Sequence, residues 1–204
     1  MSALGILALS VHANVLVFDN DPGNNYQGYF AGGANRQVLD DIVRINPHLP
    51  IKQIDIVFRN DNNPINVNVT LFVYDTGPGG KVGSLLHKDT VVLVPPGIHR
   101  LQFGTPNIAA GISHLWIGIS ASADNAGMVF SPNPYPTIGS SADRFAWDDD
   151  GNELIDSDDY WDFGGDPVAN FAIEVYAVPE PTSLLGLGSG LVSLFALRRR
   201  LKHS

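Results

Sequence analysis

Residues 65–74 read Ile-Asn-Val-Asn-Val-Thr-Leu-Phe-Val-Tyr. In an extended chain Ile65, Val67, Val69, Leu71 and Val73 fall on one side, and Asn66, Asn68 and Thr70 on the other. Strict alternation of this kind marks a strand with one buried and one wet face. Upstream, residues 51–59 (IKQIDIVFR) place Ile54, Ile56 and Phe58 on one face. Downstream, residues 91–94, 98–103, 115–120, 128–130 and 169–176 are further apolar or β-branched runs, which brings the expected set to about eight strands. Turn signals separate them: Asp21-Pro22-Gly23, Asp61-Asn62-Asn63-Pro64, Gly77-Pro78-Gly79-Gly80, Pro95-Pro96-Gly97 and Asp150-Gly151-Asn152. Residues 36–45 (RQVLDDIVRI) fit a helix by the spacing of Val38, Ile42 and Ile45, or a strand; their surroundings favour the strand. The fold class expected is all-β: a single β-sandwich or jelly-roll domain over residues 14–177.

The 204-residue chain has a formal net charge of −9 and no cysteine. Thiol catalysis and thiolate zinc sites are therefore excluded, and no disulfide holds the fold. The last residues carry Arg198, Arg199, Arg200 and Lys202 against Glu180, so the remainder carries about −12. Such a surface repels nucleic acid and anionic headgroups. It suits solubility, divalent cations or neutral sugars.

Both ends of the sequence read as transport signals. Residues 3–11 (ALGILALSV) form a short apolar run, and Val11-His12-Ala13 fits a cleavage site before Asn14. No Lys or Arg precedes Arg36, so residues 1–13 read as a truncated signal peptide, with a first buried strand as the alternative. At the other end, Val178-Pro179-Glu180-Pro181 is followed by an uncharged apolar run to Leu197 and then by the basic cluster. The 17 residues from Pro181 to Leu197 sit at the short end of a membrane-spanning helix. A core helix would carry a polar stripe, whereas this run offers only Ser and Gly. The arginines after it suit a stop-transfer signal.

The tail, residues 178–204, resembles the PEP-CTERM sorting signal of Gram-negative bacteria, on Val178, Pro179, Glu180 and Pro181, the apolar segment, and Arg198, Arg199, Arg200 and Lys202. The resemblance implies passage through the export machinery, a transient inner-membrane intermediate held by the C-terminal transmembrane sorting helix, and processing by a membrane-bound exosortase. The catalyst of that step belongs to the exosortase. Proteins of this kind are associated with bacteria that make exopolysaccharide and biofilm matrix. The body also resembles, more diffusely, the jelly-roll domains found ahead of such tails, through Gln37-Val38-Leu39-Asp40-Asp41, the strands over residues 51–74, Leu85-Leu86 and residues 114–119.

Chemistry-bearing residues concentrate in residues 143–166, which hold nine Asp and one Glu among Phe145, Trp147, Tyr160, Trp161 and Phe163. Calcium takes six to eight oxygen ligands, which clustered carboxylates in a turn can supply; Asp148, Asp150, Asp156 and Asp158 are the candidates. The run is not an EF-hand: counted from Gly151 at position six, position one is Ala146 and position twelve Ser157. A solvated acidic loop is the competing reading. Trp147, Tyr160 and Trp161 offer flat faces for a sugar, or fold the loop onto the core. Trp116, in an apolar strand, reads as core. Asp158 and Glu174 are one of many conceivable carboxylate pairs for glycoside hydrolysis. The six histidines show no metal-ligand spacing, and there is no Gly-x-Ser-x-Gly elbow.

The reading is an exported, exosortase-processed protein of the cell surface or extracellular matrix. It is non-enzymatic, with an adhesive or polysaccharide-associated role and no nucleic-acid partner. The alternative is a carbohydrate-binding module or carbohydrate-active enzyme that uses residues 143–166.

Overall fold

In the computed structural model the alternating segment forms a strand over Val67–Thr76, with Val67, Val69, Leu71 and Val73 buried. Ile65 departs from expectation. It lies ahead of the strand, 60% exposed, because the buried Asn60 amide donates to the Ile65 and Val94 carbonyls and holds residues 61–66 as a loop. The structure describes residues 13–26, 28–131, 135–164 and 170–179. The apolar part of the N-terminal segment and the tail from Glu180 onward, where the sorting helix and basic cluster are expected, lie outside the described residues.

The described strands are β1 (Val15–Asp19), β2 (Tyr29–Phe30), β3 (Val38–Val43), β4 (Ile51–Asn60), β5 (Val67–Thr76), β6 (Val82–Val94) and β7 (Gly97–Ile108). They continue with β8 (His114–Ala121), β9 (Ala126–Ser131), β10 (Arg144–Trp147), β11 (Tyr160–Asp162), β12 (Asn170–Phe171) and β13 (Ile173–Ala177). The fold is all-β. Helical structure among the described residues is one 3-10 turn, Pro78–Gly80, inside the hairpin between β5 and β6. No described helix is long and apolar enough to cross a membrane.

Among the described residues thirteen strands replace the expected eight. Residues 36–45 contain a strand, β3, as their surroundings suggested. The run at 91–94 is the end of the much longer β6. Residues 169–176 split into β12 and β13 around Ala172, whose N–H donates to Val129. The additional strands β1, β2, β10 and β11 have two to five residues each, too short for alternation to declare itself.

One sheet has the order β11-β10-β3-β8-β5-β6. In the other, β4 is central: β7 pairs along one edge, while β13 pairs with Ile51–Ile56 and β9 with Phe58–Asn60. β1 adds outside β13, and β2 and β12 pair with β9. Consecutive strands from β3 to β5 and from β6 to β9 alternate between the sheets. Their inward faces meet in one apolar cluster that includes Phe18, Ile42, Ile54, Phe58, Leu71, Phe103, Ile117 and Ile173. The carboxyl of Asp40 is buried at this seam, accepts the Phe171 N–H from the other sheet at 3.2 Å and faces the Ser141 hydroxyl. Burial, and then the neighbouring Asp41 carboxylate, push its pKa well above the ordinary range.

Candidate functional site

The outward face of the six-stranded sheet carries a second apolar patch. Because side chains alternate, β3 sends Leu39 outward, β5 Phe72 and Tyr74, β8 Trp116 and β10 Ala146. These residues form a second apolar cluster, separate from the core, joined by Val82, Ile155 and Tyr160. Trp116 is thus buried at 1% exposure, but on the face away from the main core.

Its cover is the acidic segment. Asp148 is buried, and its carboxylate accepts the backbone N–H groups of Gly151 at 2.8 Å, Asn152 at 3.0 Å and Glu153 at 3.1 Å. Burial nevertheless holds its pKa above the ordinary value. Asp159, also buried, accepts from Asp149 at 3.2 Å and Asp156 at 2.8 Å. Two buried carboxylates therefore serve as the hubs round which residues 148–159 wrap. Asp150 bonds both N–H donors of Asn152, Asp156 accepts from the Asp158 N–H, and Asp158 faces the Ser157 hydroxyl. Among the described residues no group of three or more His, Cys, Asp or Glu is arranged to hold a metal ion. Sequence reading passed over Asp159, since nothing local distinguishes it from its neighbours.

The three aromatic candidates part company. Trp147 is half-buried, donates its indole N–H to the Gly32 carbonyl at 2.7 Å and packs edge-on against Phe30. Tyr160 is half-buried against Trp116, under the Arg144 guanidinium 4.4 Å from its ring centre, and its hydroxyl accepts the Val82 N–H. Trp161 is 41% exposed, with its ring centre 5.9 Å from that of Trp147. The carboxylate pair is dispersed: Asp158 lies in the segment between β10 and β11, while Glu174 belongs to β13 of the other sheet and pairs with Arg100. Arg100 also pairs with Asp21, to which Tyr26 donates.

Beside the covered patch the same face opens into a cleft of about 350 Å³, lined by Asn35, Gln37, Thr70, Phe72, Tyr74, Leu85, Lys88, Ser120 and Glu153. A second cleft of about 280 Å³ adjoins it, sharing Tyr74 and Glu153. The Phe72 and Tyr74 rings are nearly parallel, with centroids 6.3 Å apart. The Lys88 ammonium sits 4.9 Å from the Phe72 ring centre, and the Tyr74 hydroxyl donates to the Gln37 side-chain oxygen at 2.8 Å. The Gln37 amide donates in turn to the Glu153 carbonyl at 2.9 Å, which locks the cleft wall to the acidic segment. Burial holds the Tyr74 phenol above its ordinary pKa, so it stays a neutral donor. Sequence reading missed this cleft. Its signal was the wet face of β5, which continues from Thr70 into Phe72 and Tyr74.

Comparison with known families adds the second functional element. Residues 177–200 match the PEP-CTERM protein-sorting motif, while no curated protein matches the chain. The chain thus carries a PEP-CTERM sorting signal. That signal marks an exported protein with a membrane-anchored transit stage, processed by an exosortase.

Proposed function

We propose that the body is a non-enzymatic jelly-roll module that contacts neutral polysaccharide at the cell surface or in the extracellular matrix. The strand orders β3-β8-β5-β6 and β2-β9-β4-β7 support the jelly-roll reading. The observation that carries the function is the cleft on the outward face. Aromatic rings lie beside amide, hydroxyl and ammonium groups at Phe72, Tyr74, Gln37, Thr70, Ser120 and Lys88. Sugars present apolar C–H faces and many hydroxyls, so a mixed aromatic and polar lining suits them. The acidic composition of the chain favours a neutral glycan over an anionic one.

The test is retention of the mature secreted protein on immobilised exopolysaccharide from its own host. Retention that falls on Tyr74→Ala and yields no new reducing ends supports the reading. Absence of retention, or release of reducing ends, overturns it.

A further inference from the structure

The sorting signal leaves the body without slack. Ala177 ends β13 and is buried, and the next residue, Val178, donates its N–H to the Pro50 carbonyl at 3.1 Å. The Pro-Glu-Pro motif starts one residue later. A chain spans at most about 3.6 Å per residue, which keeps Pro181 within about 11 Å of Val178. An enzyme that grips residues 179–181 therefore comes against the end of the body from which β13 emerges.

That end is prebuilt. It consists of the loop between β3 and β4 and the turn between β7 and β8. Arg44, 2% exposed, donates to the Ile112 carbonyl at 2.6 Å, to Leu49 at 2.6 Å and to Pro47 at 2.9 Å, so one guanidinium ties the loop to the turn. The Gly111 N–H adds a bond to Pro47 at 2.6 Å. Its charge differs from that of the chain as a whole. Residues 44–52 and 108–114 contain no Asp or Glu, and His48 and His114 are exposed on them.

We propose that this Arg44-braced platform is a docking surface for the exosortase, so that processing reads part of the folded body as well as the Pro-Glu-Pro motif. The partner is assigned by reach: engagement of the motif itself brings the enzyme onto these loops. The proposal rests on the sorting-motif match and is independent of the polysaccharide reading.

The experiment follows the processed fraction of the full-length chain in its host, by mass spectrometry of both forms. His48→Glu combined with His114→Glu is expected to slow processing about fivefold, as loss of roughly 1 kcal/mol of contact would. Val92→Glu with Ile98→Glu, exposed residues at the opposite end of the sheets, is expected to leave it unchanged. A twelve-residue Gly/Ser insert between Ala177 and Val178 is expected to abolish the difference between the platform variant and its parent, because a long leash uncouples the two contacts. Thermal midpoints confirm that each variant is folded, and His48→Glu alone serves if the pair is not. Unchanged processing in the platform variant overturns the proposal, as does equal slowing at the opposite end. Slowing that tracks weaker binding of the unprocessed chain to anionic lipid vesicles also overturns it, by assigning the surface to lipid.

Discussion

Val15 lies directly opposite Ala177 in the antiparallel pairing of β1 with β13. The first described strand therefore starts where the last one ends, on neighbouring strands of one sheet. The start of β1 and the end of β13 thus lie at the same end of the body. β13 is not a loose edge: it lies between β1 and β4, so the strand that delivers the sorting motif is held on both sides.

Ile173 tests how far the body depends on that last strand. It is fully buried, within the main core, and pairs with Ile56. Ile173→Ala is expected to cost about 2–5 kcal/mol, the usual range for truncating a buried Ile. Urea denaturation of the variant and its parent measures the loss.

Asp40 gives the molecule a pH dependence of definite sign. Its pKa is raised in the folded state, mainly by burial, above an ordinary value of 3.8. The folded state thus keeps a proton that the unfolded state has released. Stability from this group is full below the ordinary value and is lost as pH rises through the raised one, with a slope of at most about 1.4 kcal/mol per pH unit. Asp40→Asn preserves an acceptor for the Phe171 N–H and is expected to flatten that slope. Urea midpoints of the two proteins between pH 4 and pH 8 check it.

The acidic segment is expected to respond unequally to loss of its carboxylates. Asp148→Ala removes the acceptor of the Gly151 and Glu153 N–H groups, while the Asn152 N–H keeps Asp150; a cost of about 1.5–3 kcal/mol is expected, the range for hydrogen bonds to a charged group. It should also loosen the cover over Trp116, read as a red shift of tryptophan emission. Asp150→Ala, at an exposed position, is expected to change stability by less than about 0.5 kcal/mol. With the carboxylates of Asp148 and Asp159 already taken up by N–H donors, EDTA should leave the thermal midpoint of the protein unmoved; a rise with added calcium would return the metal reading to Asp148, Asp150, Asp156 and Asp158.

Within the cleft, ring and hydroxyl can be separated. Tyr74→Phe keeps the ring and removes the donor to Gln37, whereas Tyr74→Ala removes both. Polysaccharide retention is expected to weaken about tenfold for Tyr74→Ala, the effect of roughly 1.4 kcal/mol, and less for Tyr74→Phe. Equal loss in both would shift the weight from stacking to the hydroxyl.

Strands that carry an apolar or alternating run were legible because that pattern is local, whereas β6, the longest, was read only at its end. Val67, Val69, Leu71 and Val73 face the core in sequence and in space alike, and β3, β4 and β8 fall where apolar runs announced them. The cleft was not legible, since Phe72, Lys88 and Ser120 come from three strands and Gln37 from the residue ahead of β3, and only the pairing of β3, β8, β5 and β6 sets them side by side. The part played by the acidic segment was not legible either. A run of carboxylates looks alike whether it meets solvent, a cation or backbone N–H groups, and the donors to Asp148 and Asp159 depend on how the chain turns back on itself.

By itself, then, the sequence determined the all-β class, the acidic composition and the sorting signal, each a property of composition or of neighbours along the chain. Tertiary structure alone decided that Trp116 is buried away from the main core, that Asp148 and Asp159 hold a loop together, and that Val15 meets Ala177. The first and last depend on residues distant along the chain, which become neighbours only when the strands pair; the bonds to Asp148 and Asp159 are short-range and depend on how residues 148–159 fold back on themselves.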